Sequence, residues 1–137
     1  MPRRTCIVGL FLLVILGDIA LAAGSSGHDK GTPDKEALRT LLENQVLKED
    51  LVGKRVYVSR KPIPGKKYIY TWRMKVQVPP KFSRAWFFFV DDMPEANWEH
   101  PCRYVFVDVK THDSEVVKAS LPPKDLDSMV SLDKKQQ

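Results

Sequence analysis

The chain has 137 residues, and 22 Lys and Arg against 17 Asp and Glu give it a formal net charge of +5. A chain of this length builds one domain with one modest core, which excludes a large nucleotide-binding enzyme. Its ten Pro and seven Gly occur without any repeat, so the collagen-like, solenoid and coiled-coil classes are excluded as well.

Residues 1–22 follow the three-part pattern of a secretory signal peptide. Arg3 and Arg4 precede an apolar run over residues 6–16, and small residues then allow cleavage before Ala23. An uncleaved membrane anchor is the alternative, but it requires about 20 apolar residues, and this run is shorter. We therefore expect a secreted or periplasmic protein that leaves the membrane after cleavage.

Export would change the role of cysteine in this chain. Loss of the signal peptide removes Cys6 and leaves Cys102 as a single cysteine in an oxidising compartment. Such a residue is a buried thiol, an intermolecular bridge or a reactive site. Burial is favoured because unpaired cysteine is among the most buried residue types.

One helix is predicted after a flexible leader over residues 23–31. Thr32 can cap this helix and Pro33 suits its first position, so we expect it over residues 33–48 with a stop at Gly53. Its apolar positions recur at helical spacing: Leu38, Leu41, Leu42 and Val46.

The chain after the helix predicts antiparallel strands. We expect strands over residues 54–60, 67–78, 84–90, 103–109 and 115–121. A type II turn is expected at Pro64–Gly65. The most regular alternation is expected to put one set of side chains into the core: Tyr68, Tyr70, Trp72, Met74, Val76 and Val78.

These elements define a single domain over residues 32–123. Residues 84–90 are apolar on both faces, which predicts a central strand covered on both sides, and residues 124–137 predict a polar tail or a short amphipathic helix. The expected fold class is α+β, with one N-terminal helix packed on an antiparallel sheet of about five strands. This arrangement resembles the cystatin-like and propeptide-like α+β folds.

Charge is segregated along the chain. Residues 54–84 contain ten basic residues and no acid. A polyanion site is one interpretation, but alternation would put the aromatic side chains on the opposite face from Arg73 and Lys75. We therefore expect a solvated basic face, with Arg73 and Lys75 as candidates for binding an acidic protein partner and no nucleic acid favoured.

The loop over residues 91–102 contains the remaining candidate site residues. Cys102 and His100 could act as nucleophile and base, but no third orienting residue is evident. A transition-metal site that adds His112 matches no standard ligand spacing. A calcium site is a weak alternative, with candidate ligands Asp91, Asp92, Glu95 and Asn97.

In the favoured interpretation this loop is structural and contributes to partner binding. Trp98 is expected to fold back onto the core, while Cys102 packs inside. The candidate partner-binding residues are then Trp98, His100, Cys102, Arg73 and Lys75.

Residues 88–107 (FFVDDMPEANWEHPCRYVFV) resemble a segment of secreted microbial proteins, and residues 97–104 (NWEHPCRY) carry the most specific part. Residues 52–59 and 62–65 are similar to the same pattern, so the resemblance covers about residues 50–123. In those proteins the segment belongs to an N-terminal, propeptide-like domain ahead of a larger extracellular or peptidase-type domain.

The chain departs from that pattern at Glu95 and His112, where the family pattern has Gly, and it stops where the partner domain would begin. The resemblance therefore implies a stand-alone relative of a prodomain with no activity of its own.

The expected function is a secreted, non-enzymatic binding or inhibitor-like domain of propeptide type that docks on a partner protein and needs no cofactor. One alternative is a small Cys-dependent hydrolase or redox protein that uses Cys102 and His100. The other is a secreted polyanion-binding protein. The oligomeric state stays open.

Overall fold

The computed structural model describes residues 34–133, and every structural statement below concerns this part of the chain. The expected signal peptide and leader lie outside it, as do Thr32 and Pro33. Across the described range, no helix has the length and apolarity that a bilayer crossing requires.

The first described element is helix α1 at Lys35–Thr40, which continues in π-helical form over Leu41–Leu47. Asp34 caps it, because its carboxylate accepts a hydrogen bond from the N–H of Ala37 at 3.1 Å. The helix thus begins slightly later than predicted, with Asp34 as its capping residue in place of the expected Thr32.

The helix ends at Leu47, within one residue of the predicted end at residue 48. Lys48 adopts a left-handed backbone conformation with a φ of 54°, which terminates the helix there. Gly53, with a φ of 77°, serves the turn that leads into the first strand.

Eight strands follow: β1 (Arg55–Val58), β2 (Ile63–Pro64), β3 (Tyr68–Tyr70), β4 (Lys75–Gln77), β5 (Arg84–Asp91), β6 (Cys102–Asp108), β7 (Ser114–Ala119) and β8 (Val130–Ser131). The main sheet has the order β7-β6-β5-β1-β8, and β2 pairs with the start of β5. Strands β3 and β4 form a separate two-stranded hairpin. The fold is α+β, with one short helix and antiparallel strand pairs.

The central strands β5 and β6 are covered on both faces, which confirms the prediction made for residues 84–90 and extends it to β6. On one face, Phe88 and Val105 join a core that includes Leu42 of the helical segment. On the other face, Phe87 stacks on Phe106 with ring centroids 5.3 Å apart, in a second core that Val76 and Val78 close. The main sheet is therefore the middle of three layers, with the helix on one side and the β3–β4 hairpin on the other.

The expected polar tail is wrong for the residues described beyond Pro123. Val130 pairs with Val58 of β1, and the N–H of Leu132 donates to the carbonyl of Val56 at 2.8 Å. The guanidinium of buried Arg39 in turn donates to the carbonyl of Leu132 at 2.8 Å. Val130 and Leu132 both reach the core because alternate residues of an extended chain share one face.

The turn after Pro64 differs from the predicted type II turn. The positive φ, 69°, belongs to Lys66 and not to Gly65. Gly65 is needed for another reason: a Cβ atom there would lie 2.0 Å from the carbonyl oxygen of Phe82. The backbone approaches too closely for any larger residue.

Candidate functional site

The β3–β4 hairpin carries a group of large exposed side chains. Tyr68, Tyr70 and Trp72 expose 37%, 55% and 75% of their surface, and Met74 exposes 49%. The prediction that these four side chains lie in the core is therefore wrong. We refer to residues 68–77 as the aromatic hairpin.

A tight turn at Thr71, which was not predicted, explains why these side chains face solvent. The hydroxyl oxygen of Thr71 accepts hydrogen bonds from the N–H groups of Arg73 and Met74, at 3.2 and 2.9 Å. The N–H of Thr71 also donates to the carbonyl of Met74 at 2.8 Å. These bonds replace one long strand by two short ones. Ile69 and Val76, which pair across the hairpin, then face the core.

Basic side chains cover the exposed rings. The ammonium of Lys75 lies 4.3 Å from the ring centroid of Tyr68, and the ammonium of Lys124 lies 5.0 Å from the ring centroid of Trp72. The N–H of Lys124 also donates to the carbonyl of Tyr70 at 2.8 Å. Bases and aromatics therefore share one surface, and the argument that alternation separates them is wrong.

The tip of the aromatic hairpin lies against the β5–β6 loop, residues 92–101. Arg73 at the tip forms an ion pair with Glu99 of this loop. Trp98, the neighbour of Glu99, exposes 72% of its surface, so the expectation that it folds back onto the core is wrong. We define the exposed patch by five side chains: Tyr68, Tyr70, Trp72, Met74 and Trp98.

The five candidate partner-binding residues divide between surface and interior. Arg73, Lys75 and Trp98 are exposed on or beside the exposed patch. His100 is mostly covered, and Cys102 exposes only 3% of its surface. The structure therefore brings Arg73, Lys75 and Trp98 together at the surface. His100 and Cys102 instead hold the loop in place.

Four charged residues, which we call the ion-pair cluster, anchor the start of the loop. Arg103 binds Asp92 through two hydrogen bonds of 2.9 and 2.6 Å and reaches Glu49 at 2.6 Å. Lys54 contacts the same two carboxylates, at 3.0 Å to Asp92 and 3.2 Å to Glu49. The two acids and two bases compensate each other, which stabilises the junction of helix, β1, loop and β6.

These contacts shift the pKa values of both carboxyl groups downward. For Glu49 the hydrogen bond from Arg103 is the largest cause of the lowered pKa, and it outweighs burial. For Asp92 burial alone would raise the pKa, but the hydrogen bonds from Arg103 and Lys54 and the positive charges of these two residues together outweigh it and lower the pKa. Both groups therefore stay ionised down to a lower pH than usual.

His100 closes the other end of the loop. Its Nδ1 lies 2.6 Å from the carbonyl oxygen of Trp98, and its Nε2 lies 2.8 Å from Oδ1 of Asp91. Both partners are acceptors, so the ring satisfies both only when each nitrogen carries a proton. The carbonyl of Trp98 and then the carboxylate of Asp91 accordingly raise the pKa of His100.

The weak calcium candidates do not form a site. Asp92 is engaged by Arg103 and Lys54, and Asp91 accepts from His100. Over residues 34–133, no three His, Cys, Asp or Glu side chains are grouped to hold a metal ion. The other two candidates, Glu95 and Asn97, do not change this result, because both aspartates are already engaged by basic side chains.

Cys102 and His100 do not form a nucleophile and a base. The sulfur of Cys102 lies 3.6 Å from the carbonyl oxygen of Leu121, while both nitrogens of His100 are bound elsewhere. Burial, followed by the negative charges of Asp91 and Asp92, raises the pKa of the Cys102 thiol to about 11. A thiol with this pKa is almost fully protonated at neutral pH, so it is not activated for attack.

Sequence reasoning missed the tip of the aromatic hairpin as a surface feature. The usable signal was Thr71, whose hydroxyl can cap a tight turn, but no Gly, Pro, Asn or Asp accompanies it.

Comparison of the chain with protein-family models, with curated proteins and with solved structures finds no match.

Proposed function

We propose that the protein is a secreted, non-enzymatic domain that docks on a partner protein through the exposed patch. The observation that carries this proposal is the exposure of Trp72 and Trp98, at 75% and 72%, on two segments joined by the Arg73–Glu99 ion pair. Isolated surface apolar residues are ordinary, but a group of large ones marks an interaction site.

The chemistry of the patch fits protein recognition. The few residues that dominate binding in measured protein interfaces are enriched in Trp, Tyr and Arg. Here Trp72 and Arg73 occupy the centre of the Thr71 turn, where both project from the fold. Lys75 and Lys124 add positive charge around the rings, which favours a partner with an acidic surface.

A propeptide-type or inhibitor-like role is the finer part of the proposal. The resemblance of residues 88–107 to propeptide-like segments supports it, as does a fold in which one short helix packs on an antiparallel sheet. We propose a cystatin-like or propeptide-like arrangement on that basis. Secretion is proposed from the signal-peptide pattern of residues 1–22.

The test is retention of a partner by defined variants. Tagged protein is incubated with the extracellular fraction of its source cells, and eluted proteins are compared between wild type and the double variant Trp72→Ala/Trp98→Ala. We expect the double variant to retain a discrete partner at least about tenfold less than wild type.

The matched control removes exposed apolar side chains elsewhere. Val109 and Val116 expose 38% and 43% of their surface, and Val109→Ala/Val116→Ala should retain the partner as wild type does. Equal retention by wild type and the Trp double variant, with both folded by circular dichroism, would contradict the proposal.

Polyanion binding is a second candidate, favoured by the ammonium groups that lie over Tyr68 and Trp72. Basic residues interleaved with exposed rings are typical of surfaces that bind anionic polymers. This function predicts retention on heparin that falls steeply with salt and falls further in Lys75→Ala/Lys124→Ala. Weak retention that does not depend on salt would count against it.

A further inference from the structure

A cavity of about 220 Å³ opens beside the aromatic hairpin. Its apolar lining includes four residues of the second core or packed against it: Ile63, Ile69, Phe87 and Met129. Because the lining includes both the hairpin and the main sheet, the cavity lies where these two layers meet.

Two basic residues, Arg60 and Lys67, also line this cavity. The guanidinium of Arg60 is held by a hydrogen bond of 2.8 Å from its Nε to the carbonyl of Ser128. Its other N–H groups remain free to donate, and among residues 34–133 neither base forms an ion pair. Asp125 is the one acid of the lining, so the two bases leave a positive balance.

The size of the cavity limits what can occupy it. Pockets that bind small molecules usually span about 300–1,000 Å³. A volume of about 220 Å³ is smaller and suits a single large apolar side chain. An apolar lining with cationic groups beside it therefore matches a side chain such as Phe or Leu that has acidic neighbours.

The cavity is continuous with the exposed patch. Tyr68 lines it, and the ring of Tyr70 lies 6.4 Å from that of Tyr68. Pro123 lines it as well, and the next residue, Lys124, lies over the ring of Trp72. From Tyr68 to Tyr70 the extended backbone of β3 covers roughly 7 Å, the rise of two residues.

We propose that this cavity receives one large apolar side chain of an acidic, extended segment of the partner protein, which then runs along the outer face of the aromatic hairpin. Arg60 and Lys67 bind carboxylates that flank the inserted side chain, and the rings of Tyr68 and Tyr70 contact the rest of the segment. This inference rests on the proposed function and specifies the chemistry of the partner.

The test uses short peptides and nuclear magnetic resonance of the isotope-labelled protein. The probe is the end-blocked peptide Asp-Glu-Phe-Glu-Asp, and its analogue carries Ser in place of Phe at the same charge. We expect saturable shifts at Ile69, Phe87 and Met129 with the Phe peptide. The Ser peptide should bind about thirtyfold more weakly, because it loses the buried ring.

A charge-matched pair of variants tests the cationic residues of the cavity. Lys67→Glu should weaken binding of the Phe peptide about fivefold. Lys118→Glu makes the same charge change on β7, opposite Arg103 in the sheet register, and should leave binding within about twofold of wild type. Equal weakening by both variants would overturn the assignment, since it would mean attraction by net charge alone.

The outcomes separate this inference from the proposed function. Equal binding of the Phe and Ser peptides, or shifts that avoid the cavity, would overturn the anchor even if the Trp double variant loses its partner. Saturable, Phe-dependent shifts at the cavity support the anchor even if the Trp double variant keeps its partner, which would contradict the proposed function alone.

Discussion

Two hairpins of this chain are rich in aromatic residues, but one buries its rings and the other exposes them. In the β5–β6 hairpin, Phe88, Tyr104 and Phe106 are fully buried. In the aromatic hairpin, Trp72 exposes 75% and Tyr70 exposes 55% of their surface. Both hairpins are antiparallel and both alternate their side chains, so residue type and local geometry do not decide burial.

The position of each hairpin among the three layers decides whether its rings are buried. Strands β5 and β6 lie in the middle layer, between the helix and the aromatic hairpin, so both of their faces are covered. The aromatic hairpin is an outer layer: Ile69 and Val76 on its inner face complete the second core, and no described element covers its outer face. The middle hairpin thus supplies stability, and the outer one offers a surface for recognition.

The largest effect should come from the middle hairpin. Phe88→Ala leaves a cavity in the helix-side core and should lower the free energy of unfolding by about 4 kcal/mol. Urea denaturation followed by circular dichroism measures it. A loss below about 1 kcal/mol would mean that β5 does not carry the stability assigned to it.

The junction between the two hairpins should show the next largest effect on stability. Gly65→Ala places a Cβ atom against the carbonyl of Phe82, so the backbone must move, at a cost of about 2 kcal/mol or more. Gly53→Ala is the control, because its Cβ meets nothing within 4 Å and only its φ of +77° is unfavourable, worth about 1 kcal/mol. Equal losses in urea denaturation would contradict the close approach at Gly65.

The ion-pair cluster connects the loop of the middle hairpin to the helix. Arg103→Met leaves Asp92 and Glu49 with Lys54 alone and should lower the free energy of unfolding by about 2 kcal/mol at pH 7. Denaturation at neutral pH measures this loss, and a loss of zero would show that the cluster is not coupled to folding.

The same cluster gives a pH dependence of defined sign. The folded-state pKa values of Asp92 and Glu49 lie below their usual 3.8 and 4.5, so the stabilisation is complete above these values and is lost as the pH falls through the folded pKa values. Wild type should lose stability with acid in this range, and Arg103→Met should lose less. An equal slope would contradict the assigned cause.

The turn between β6 and β7 offers a smaller, stabilising change. His112 has a φ of 60°, a left-handed conformation that a side chain disfavours and Gly does not. His112→Gly should therefore raise the free energy of unfolding by about 1 kcal/mol. A lower melting temperature for the variant would show that the His112 side chain contributes contacts that offset its backbone strain.

The smallest effect is expected at the outer hairpin. Trp72→Ala should change the free energy of unfolding by less than about 0.5 kcal/mol, because the side chain is three-quarters exposed. A loss comparable to that of Phe88→Ala would end the contrast between the two hairpins and would make Trp72 a structural residue.

The strands of the middle layer were predicted closely from the sequence. Strand β5 was expected over residues 84–90 and is observed at Arg84–Asp91, and β6 was expected over 103–109 and is observed at Cys102–Asp108. These strands are apolar at nearly every position, so any arrangement that exposed one face would leave large apolar side chains in water. The burial of Cys102 follows for the same reason.

The candidate site was predicted in part. Trp98, Arg73 and Lys75 were chosen from the sequence and lie at the surface, but Tyr70 and Trp72 were assigned to the core. A two-residue period predicts that alternate residues share a face only while the strand continues. The Thr71 turn interrupts it, and a hydroxyl that caps a turn leaves no periodic signal.

The sequence by itself determined the α+β class, the buried middle strands and the excess of positive charge in one half of the chain, because local periodicity and composition express these properties. Only the tertiary structure decided which face of the aromatic hairpin meets the core, how Arg103 reaches Glu49 across 54 positions and how Val130 completes the sheet. Each depends on contacts between distant segments, whose geometry is set by the packing of layers and not by neighbours along the chain.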